Sequence, residues 1–428
     1  MAKRPEDYTS RTFLFAMATL VVLMAISVIP PIEAGGISLR RANILSDLIR
    51  FDSDKAPAAE PAQPEIDVEE FHVDMEEVER QVARVAQEAS PTGDGTSASW
   101  QGIFDQPPVE ADTTLTDTFA ADSLEAHRRA VAEADFSALL PADTLITPVE
   151  EFFEGEGPSP LQRLYDKLLD GSQPVRIAFM GDSFVEGDIL TADLREQLQL
   201  RYGGRGCGFA PMSSPLTGYR RTVGTRSAGW NSYNIMQRRT TPEALRGDYS
   251  VSGWLCRPAD GATVRWTGSD FRRRLDRCGV ARLLFISREP SRLELTLNDS
   301  LHHTFDIPAS EALRQIVVRA PVASLALRVV RGGAGFTGYG VQFEDAAGGT
   351  VDNYSIRSNN GQALFGTNPS VNAQIDAFAE YDLVILQYGL NIMQEGVTNY
   401  SAYAARVEKM IAFLRSCFPE AAVLVLST

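Results

Sequence analysis

The chain has 428 residues, 44% hydrophobic and 22% charged, which excludes a wholly disordered or fibrous protein and leaves room for two or three domains. The formal net charge of −16 speaks against nucleic acid as a partner, yet the charge is uneven. Residues 51–160 carry 26 acidic and 5 basic side chains, whereas 161–428 carry 26 acidic and 29 basic, so the acidity belongs to one stretch and not to the remainder.

Residues 13–32 (FLFAMATLVVLMAISVIPPI) hold no charge, and a run of about 20 such residues is long enough to span a bilayer as a helix. Lys3, Arg4 and Arg11 precede it. The positive-inside rule then predicts a single-pass inner-membrane anchor, with 1–12 a cytoplasmic tail and the rest extracytoplasmic or periplasmic. A cleaved signal peptide is the alternative, but the run exceeds the usual core of about 7–15 residues and no small-x-small site follows. From 33 to 157 the composition predicts an acidic extracytoplasmic linker. Residues 52–66 are rich in Pro, Ala and acid, and 90–117 in Ser, Thr, Gly, Pro and Asp. Val and Met spacing within it predicts a helix over 68–88, and a second is predicted over 124–134.

The pattern changes at 158. An amphipathic helix is predicted over 160–171, ended by Gly171, followed by a buried strand (VRIAFM, 175–180), a turn (GDSFVEGD, 181–188) and a helix over 189–202. The same alternation resumes later: helix 372–381, strand 382–389, helix 401–418, strand 421–427. Apolar strands alternating with helices predict a mostly parallel sheet covered on both faces, assembled from 158–210 and 345–428. Between them, 211–344 breaks into short β-rich runs (RLLFIS, RLELTL, TFDI, QIVVRA, SLALRVV, YGVQFE), which predict an inserted all-β, jelly-roll-like sandwich. Residues 205–331 hold 20 Arg against 10 acids. This is either a plain Arg-rich surface, a face for an anionic glycan with Trp230, Trp254 and Trp266 as stacking platforms, or a dock for the protein's own acidic segment.

Four cysteines (Cys207, Cys256, Cys278, Cys417) include no C-x-x-C pair, and no His/Cys/carboxylate cluster implies a metal. Cys256 and Cys278 could pair outside the cytoplasm or remain free. GGRGCG (203–208) follows a helix where a dinucleotide site would need it after a strand, and no Walker-type motif occurs, so no cofactor is expected.

Ser183 sits directly after a predicted buried strand, at a turn that opens a helix. That places a hydroxyl at the carboxyl end of the sheet, where α/β proteins bind ligands. It also lies beside helix-start N–H groups able to stabilise a developing oxyanion. An N-cap role for Asp182–Ser183 is the plainer reading. Two further segments fall at strand ends, DNYSIRSNNGQAL (352–364) and QYGLN (387–391). Together with GDSF (181–184), in this order, they resemble the SGNH (GDSL) hydrolase family. A β-rich insertion after the first segment is similar to that of bacterial peptidoglycan O-acetylesterases. The resemblance implies Ser183 as nucleophile and Ser183, Gly361 and Asn391 as oxyanion donors. It also implies an acetylated envelope polysaccharide as substrate.

The same family places an Asp and a His downstream of the third segment as orienting acid and general base, and no histidine follows Asn391. His72 and His127 lie in the acidic stretch, and His302 and His303 on a predicted strand of the insert. Without a base a serine hydroxyl is a weak nucleophile, so residues 1–428 are expected to be nearly inactive. The chain also stops at the end of a predicted strand, from which a longer protein with further α/β units is expected. An O-acetyltransferase working with a membrane acyl donor or acyltransferase partner would use the same residues, and a non-catalytic glycan-binding protein would use the sandwich alone.

Overall fold

The computed structural model describes residues 33–34, 37–38, 74–88, 97–100, 151–153, 155–394 and 397–426. The predicted anchor (13–32), the predicted helix 124–134, His72 and His127 lie outside them. Among the described residues no helix is long and apolar enough to cross a membrane. The chain divides into two units, Met1–Gln63 and Pro64–Thr428. The first contributes a two-stranded antiparallel ladder, β1 (Glu33–Ala34) with β2 (Ile37–Ser38).

The second unit opens with helix α1 (Met75–Glu88) and strand β3 (Ser97–Trp100). Asp74 starts α1 by accepting the N–H groups of Glu76 and Glu77 at 3.1 and 3.2 Å. Its Val78 is buried, and Met75 and Val82 pack against the same core. β3 runs parallel to a strand of the antiparallel sheet described below. Helix α1 falls within the helix expected over 68–88, and it and β3 join the second unit through these contacts. The apolar spacing 75–78–82 carried that signal, whereas SASW (97–100) held no strand pattern to read.

Helix α2 (Pro160–Asp170) is capped by Ser159, which accepts from Gln162 N at 3.0 Å, and ends at Gly171 in the left-handed region (φ 64°). Strand β4 (Pro174–Gly181), the short α3 (Ser183–Glu186) and α4 (Ile189–Tyr202) follow. Strand β14 (Gly348–Asn353), helix α5 (Pro369–Ala379), β15 (Leu383–Gln387), α6 (Ser401–Cys417) and β16 (Ala422–Leu426) complete an all-parallel sheet ordered β14-β4-β15-β16. Residues alternate along β4 and β15. Val175, Ile177, Phe179, Leu383 and Ile385 pack with Leu164 of α2 and Leu194 and Leu198 of α4. Ala178, Met180, Val384 and Leu386 face the opposite core with α5 and α6. Burial on both faces is why these strands read as unbroken apolar runs.

Residues 208–344 form the antiparallel part: β5 (Gly208–Pro211), β6 (Gly224–Asn234), β7 (Trp254–Thr267), β8 (Cys278–Ser287), β9 (Ser291–Leu297), β10 (Leu301–Ile307), β11 (Ser310–Val322), β12 (Ser324–Arg331) and β13 (Phe336–Glu344). With β3 they make one curled ten-stranded sheet rather than two separate ones. One leaf is β10-β9-β12-β7 with β6, the other β13-β8-β11-β3 with β5, and the leaves join where Gly338 of β13 meets Cys256 of β7. Leu293, Leu295, Leu325 and Trp266 of one leaf meet Phe285, Ile316, Phe336 and Val341 of the other in an apolar core. The outer face of the second leaf (Leu284, Ile286, Tyr339) is buried in turn against the core shared with the parallel sheet.

A buried polar network crosses that second contact. Arg176 of β4 donates to Glu344 of β13 at 2.5 and 2.9 Å, and Arg282 of β8 reaches the same carboxylate at 3.1 Å. Gln342 donates to Asp352 at 2.7 Å and Tyr381 at 2.8 Å. Burial opposes ionisation of Glu344, but the two arginines outweigh it and hold the carboxyl below its usual range.

All four cysteines are buried and free, so Cys256 and Cys278 are not paired. Burial pushes the Cys256 thiol up to about 11.

Asp376 of α5 gives a pH prediction. Burial pushes its carboxyl up to about 7, with Glu380, Asp382 and Glu420 adding to the rise and the Tyr381 N–H (3.0 Å) opposing it. The folded state therefore binds this proton more tightly than the unfolded chain, whose carboxyl titrates near about 3.9. That contribution to stability is full below about pH 4 and is lost as pH rises to about 7. Asp376→Asn is expected to stabilise the protein by on the order of 2 kcal/mol at pH 8 and by little at pH 4, after discounting for partial exposure. Thermal unfolding of both proteins at the two pH values checks this, and an equal shift at both would overturn it.

Candidate active site

The parallel sheet brings the three motif segments to its carboxyl edge. β4, which leads into Ser183, lies between β14, which leads into 354–364, and β15, which leads into 388–391. The Ile356 N–H donates to the Gly181 carbonyl at 3.0 Å, tying the second segment to the first. Gly181 is required where it stands: a Cβ there would lie 2.8 Å from Val185 Cγ2 and 3.1 Å from the Gln387 carbonyl.

Asp182 is buried, and its side chain accepts the Phe184 N–H at 3.0 Å, so it is the N-cap of α3. Ser183 beside it is exposed. The Asn391 amide donates to Asp182 Oδ2 and to the Asn359 carbonyl, both at 3.0 Å, and so touches the first and second segments at once. Gly361 is buried in the left-handed region (φ 93°), and a Cβ on it would fall 2.3 Å from Met410 Sδ. Its N–H donates to Asn359 Oδ1 at 2.9 Å. Two of the three sequence-predicted donors, Gly361 and Asn391, thus converge on Asn359, a buried residue that sequence reasoning did not single out. An incoming oxyanion at Gly361 would have to replace the Asn359 side chain.

The turn after Ser183 is held by a second residue outside the predictions. Asp188 is completely buried and takes a left-handed conformation (φ 61°). It pairs with Arg195 at 2.9 and 3.1 Å and with Arg220 at 3.1 Å, and accepts from Thr191 and Thr222. Asn353 of β14 donates to it at 3.3 Å. Burial disfavours the charge, but Arg195 and Arg220 outweigh burial and hold the carboxyl well below the usual carboxylate range. Nothing in the spacing signalled this pair, since helix neighbours meet at three or four residues and Asp188 and Arg195 are seven apart.

The remaining predicted residues fall elsewhere. Trp266 is fully buried, with its Nε1–H on the Pro211 carbonyl at 3.1 Å, so it has no face for a sugar and belongs to the core. Trp230 packs edge-on against Phe336 and donates to the Thr263 carbonyl at 3.0 Å. Trp254 is half-buried and lines a cleft beside α3. His302 and His303 are exposed on β10, the outermost strand of its leaf, with His302 on Thr296 at 2.9 Å and His303 stacked edge-on against Phe305. Among the described residues no group of three or more His, Cys, Asp or Glu could hold a metal ion.

No protein-family profile matches the chain, and no curated protein does. Among solved structures, the fold is similar to that of a peptidoglycan O-acetylesterase, with 21% identity, 62% of this chain and 71% of that chain covered, and a TM-score of 0.49. It is also similar to a family two carbohydrate esterase from Cellvibrio japonicus (7% identity, 47% and 78% covered, TM-score 0.18). A third is a family 6 carbohydrate-binding module from Clostridium stercorarium in complex with cellobiose (11% identity, 28% and 84% covered, TM-score 0.19). At TM-scores below 0.5 these likenesses are too loose to assign a function, which has to come from the geometry around Ser183.

Proposed function

We propose that the protein is an extracytoplasmic serine esterase of the SGNH type, anchored by residues 13–32, that removes acetyl groups from an envelope polysaccharide such as peptidoglycan. The observation that carries this is the Asn391 amide, which bridges the residue before Ser183 and the residue two before Gly361. Three segments far apart in sequence thereby form one small patch around an exposed hydroxyl at a helix start. In the reaction, Ser183 Oγ gives its proton to a water and bonds to the acetyl carbon, and the carbonyl electrons move onto the oxygen, where the Ser183 and Gly361 N–H groups and the Asn391 amide receive the charge once they exchange their present acceptors for it. Collapse breaks the bond to the sugar oxygen, which takes that proton from water; a second water then adds to the acetyl carbon, and collapse returns a proton to Ser183 Oγ and frees acetate. A general base is still needed for speed, and the described residues offer no histidine at the site.

The test is acetyl capture. The protein is mixed with an activated acetyl ester, and intact-mass and peptide mass spectrometry locate any adduct. An acetyl group on Ser183, absent from Ser183→Ala, supports the reading. Rapid turnover that survives Ser183→Ala would overturn it.

A further inference from the structure

In the leaf β10-β9-β12-β7-β6 every second residue, such as Val264, Trp266, Leu295 and Leu327, belongs to the apolar core. The residues between them face outward, and strand register lines them up in rows. One row runs Arg226–Arg265–Ala326–Thr296–His302 across β6, β7, β12, β9 and β10. The next runs Ala228–Thr263–Arg328–Glu294–Thr304 over the same strands. Long and short side chains are thereby mixed. Arg226, Arg265 and Arg328 stand around Ala228, Thr263 and Ala326, leaving a trough of about 350 Å³. A second hollow of about 430 Å³ adjoins it, sharing Arg226 and Arg265, with no carboxylate in its lining.

The charges here work against folding. Arg226 is directly opposite Arg265, and like charges facing each other on neighbouring strands repel. Arg265 is matched by Asp299 at 2.6 Å. Arg226 and Arg328 are exposed and have no ion-pair or hydrogen-bond partner among the described residues, although Arg328 shares its row with Glu294. By contrast, Arg272, Arg288 and Arg292 each have a carboxylate, at 2.7, 2.6 and 3.6 Å. Three guanidinium groups around a floor of small side chains cannot satisfy one another, whereas carboxylates can take their paired N–H groups. No aromatic side chain lines either hollow, so charge and the threonine hydroxyls have to supply the contacts. The trough crosses the strands. An added peptide strand would run along the β6 edge instead.

We propose that this outer face binds a carboxylate-bearing polysaccharide, with Arg226 and Arg328 each taking a carboxylate and Arg265 adding to the field between them. From β6 to β9 the trough spans about 14 Å, enough for a few sugar units in line. The site goes beyond the esterase reading and stands without it, since no residue of the Ser183 segment takes part.

The experiment is calorimetric titration of the full 428-residue chain with an oligouronate, with a neutral N-acetylhexosamine oligomer and polyglutamate as comparisons. The oligouronate is expected to bind, more weakly as salt is added, and the neutral oligomer not to bind. Arg226→Gln with Arg328→Gln is expected to weaken binding about tenfold or more, while Arg319→Gln, an exposed arginine of the other leaf, changes nothing. Ala326→Glu places a carboxylate on the trough floor. It is expected to abolish binding and to raise Tm by relieving the repulsion, a result that needs no ligand. Absence of oligouronate binding, or an equal loss in Arg319→Gln, would reduce the face to undirected charge and overturn the site. Tighter binding of polyglutamate would assign it to an acidic peptide. Loss only in Arg357→Gln, the exposed arginine held by Glu186 beside Ser183, would move the anion to the serine. Acetyl capture by Ser183 is read separately, so failure of this site and failure of the esterase are told apart.

Discussion

Asp188→Ala is expected to destabilise the protein by about 3–5 kcal/mol, the cost of removing one partner from a buried ion pair. Arg195 has no exposed side-chain surface, and its guanidinium is divided between Asp188 and the Val351 carbonyl, at 3.0 and 2.8 Å. Without the carboxylate a full positive charge stays buried with half its partners gone, and Thr191 and Thr222 lose their acceptor as well. Asp188→Asn keeps an acceptor oxygen but not the charge, so its cost should be intermediate. Chemical denaturation at pH 7 measures both. A loss below about 1 kcal/mol for the alanine variant would show that the network contributes little beyond packing. The effect should extend to the turn after Ser183, because Asp188 also holds Asn353 and Arg220, and Asn353 in turn donates to the Val185 carbonyl at 2.7 Å.

Ser183→Ala should have the opposite profile. The side chain is exposed, and Asp182, not Ser183, caps the helix, so stability should change by less than about 0.5 kcal/mol. Acetyl capture, by contrast, should vanish, because the hydroxyl proposed to capture the acetyl group is the one removed. Asn391→Ala removes one oxyanion donor and is expected to slow capture by about 10²–10³-fold. It also frees Asp182 Oδ2 and the Asn359 carbonyl from their shared donor. The two variants are compared by the rate of adduct formation at fixed ester concentration. Equal rates for wild type and Asn391→Ala would remove that amide from the chemistry.

Much of the parallel sheet was legible because its strands are buried on both faces and its helices carry plain stop signals. Predicted helix 189–202 is α4 residue for residue, and Gly171 ends α2 in the left-handed form that only glycine adopts freely. Strand β14 was missed, since GGTVDN begins with two glycines and has a single apolar β-former. β6 (GTRSAGWNSYN) was missed because it is largely exposed and polar, without the alternation that marks a half-buried strand. β7 was missed because Pro258 and Gly261 interrupt it. At the site, sequence could order the three segments but could not show Asn359 holding Gly361 and Asn391 together. Nor could it show Glu186 facing Arg357 across 171 positions. Such pairings depend on strand register, which nothing in the spacing of polar residues encodes.

The leaf built on β13 and β8 is buried from both sides and pinned by Glu344 between Arg176 and Arg282. Sliding it against the parallel sheet would strand three charges in an apolar layer, so the two halves of the molecule behave as a single casting. The slot between them is consequently cut to width when the chain folds.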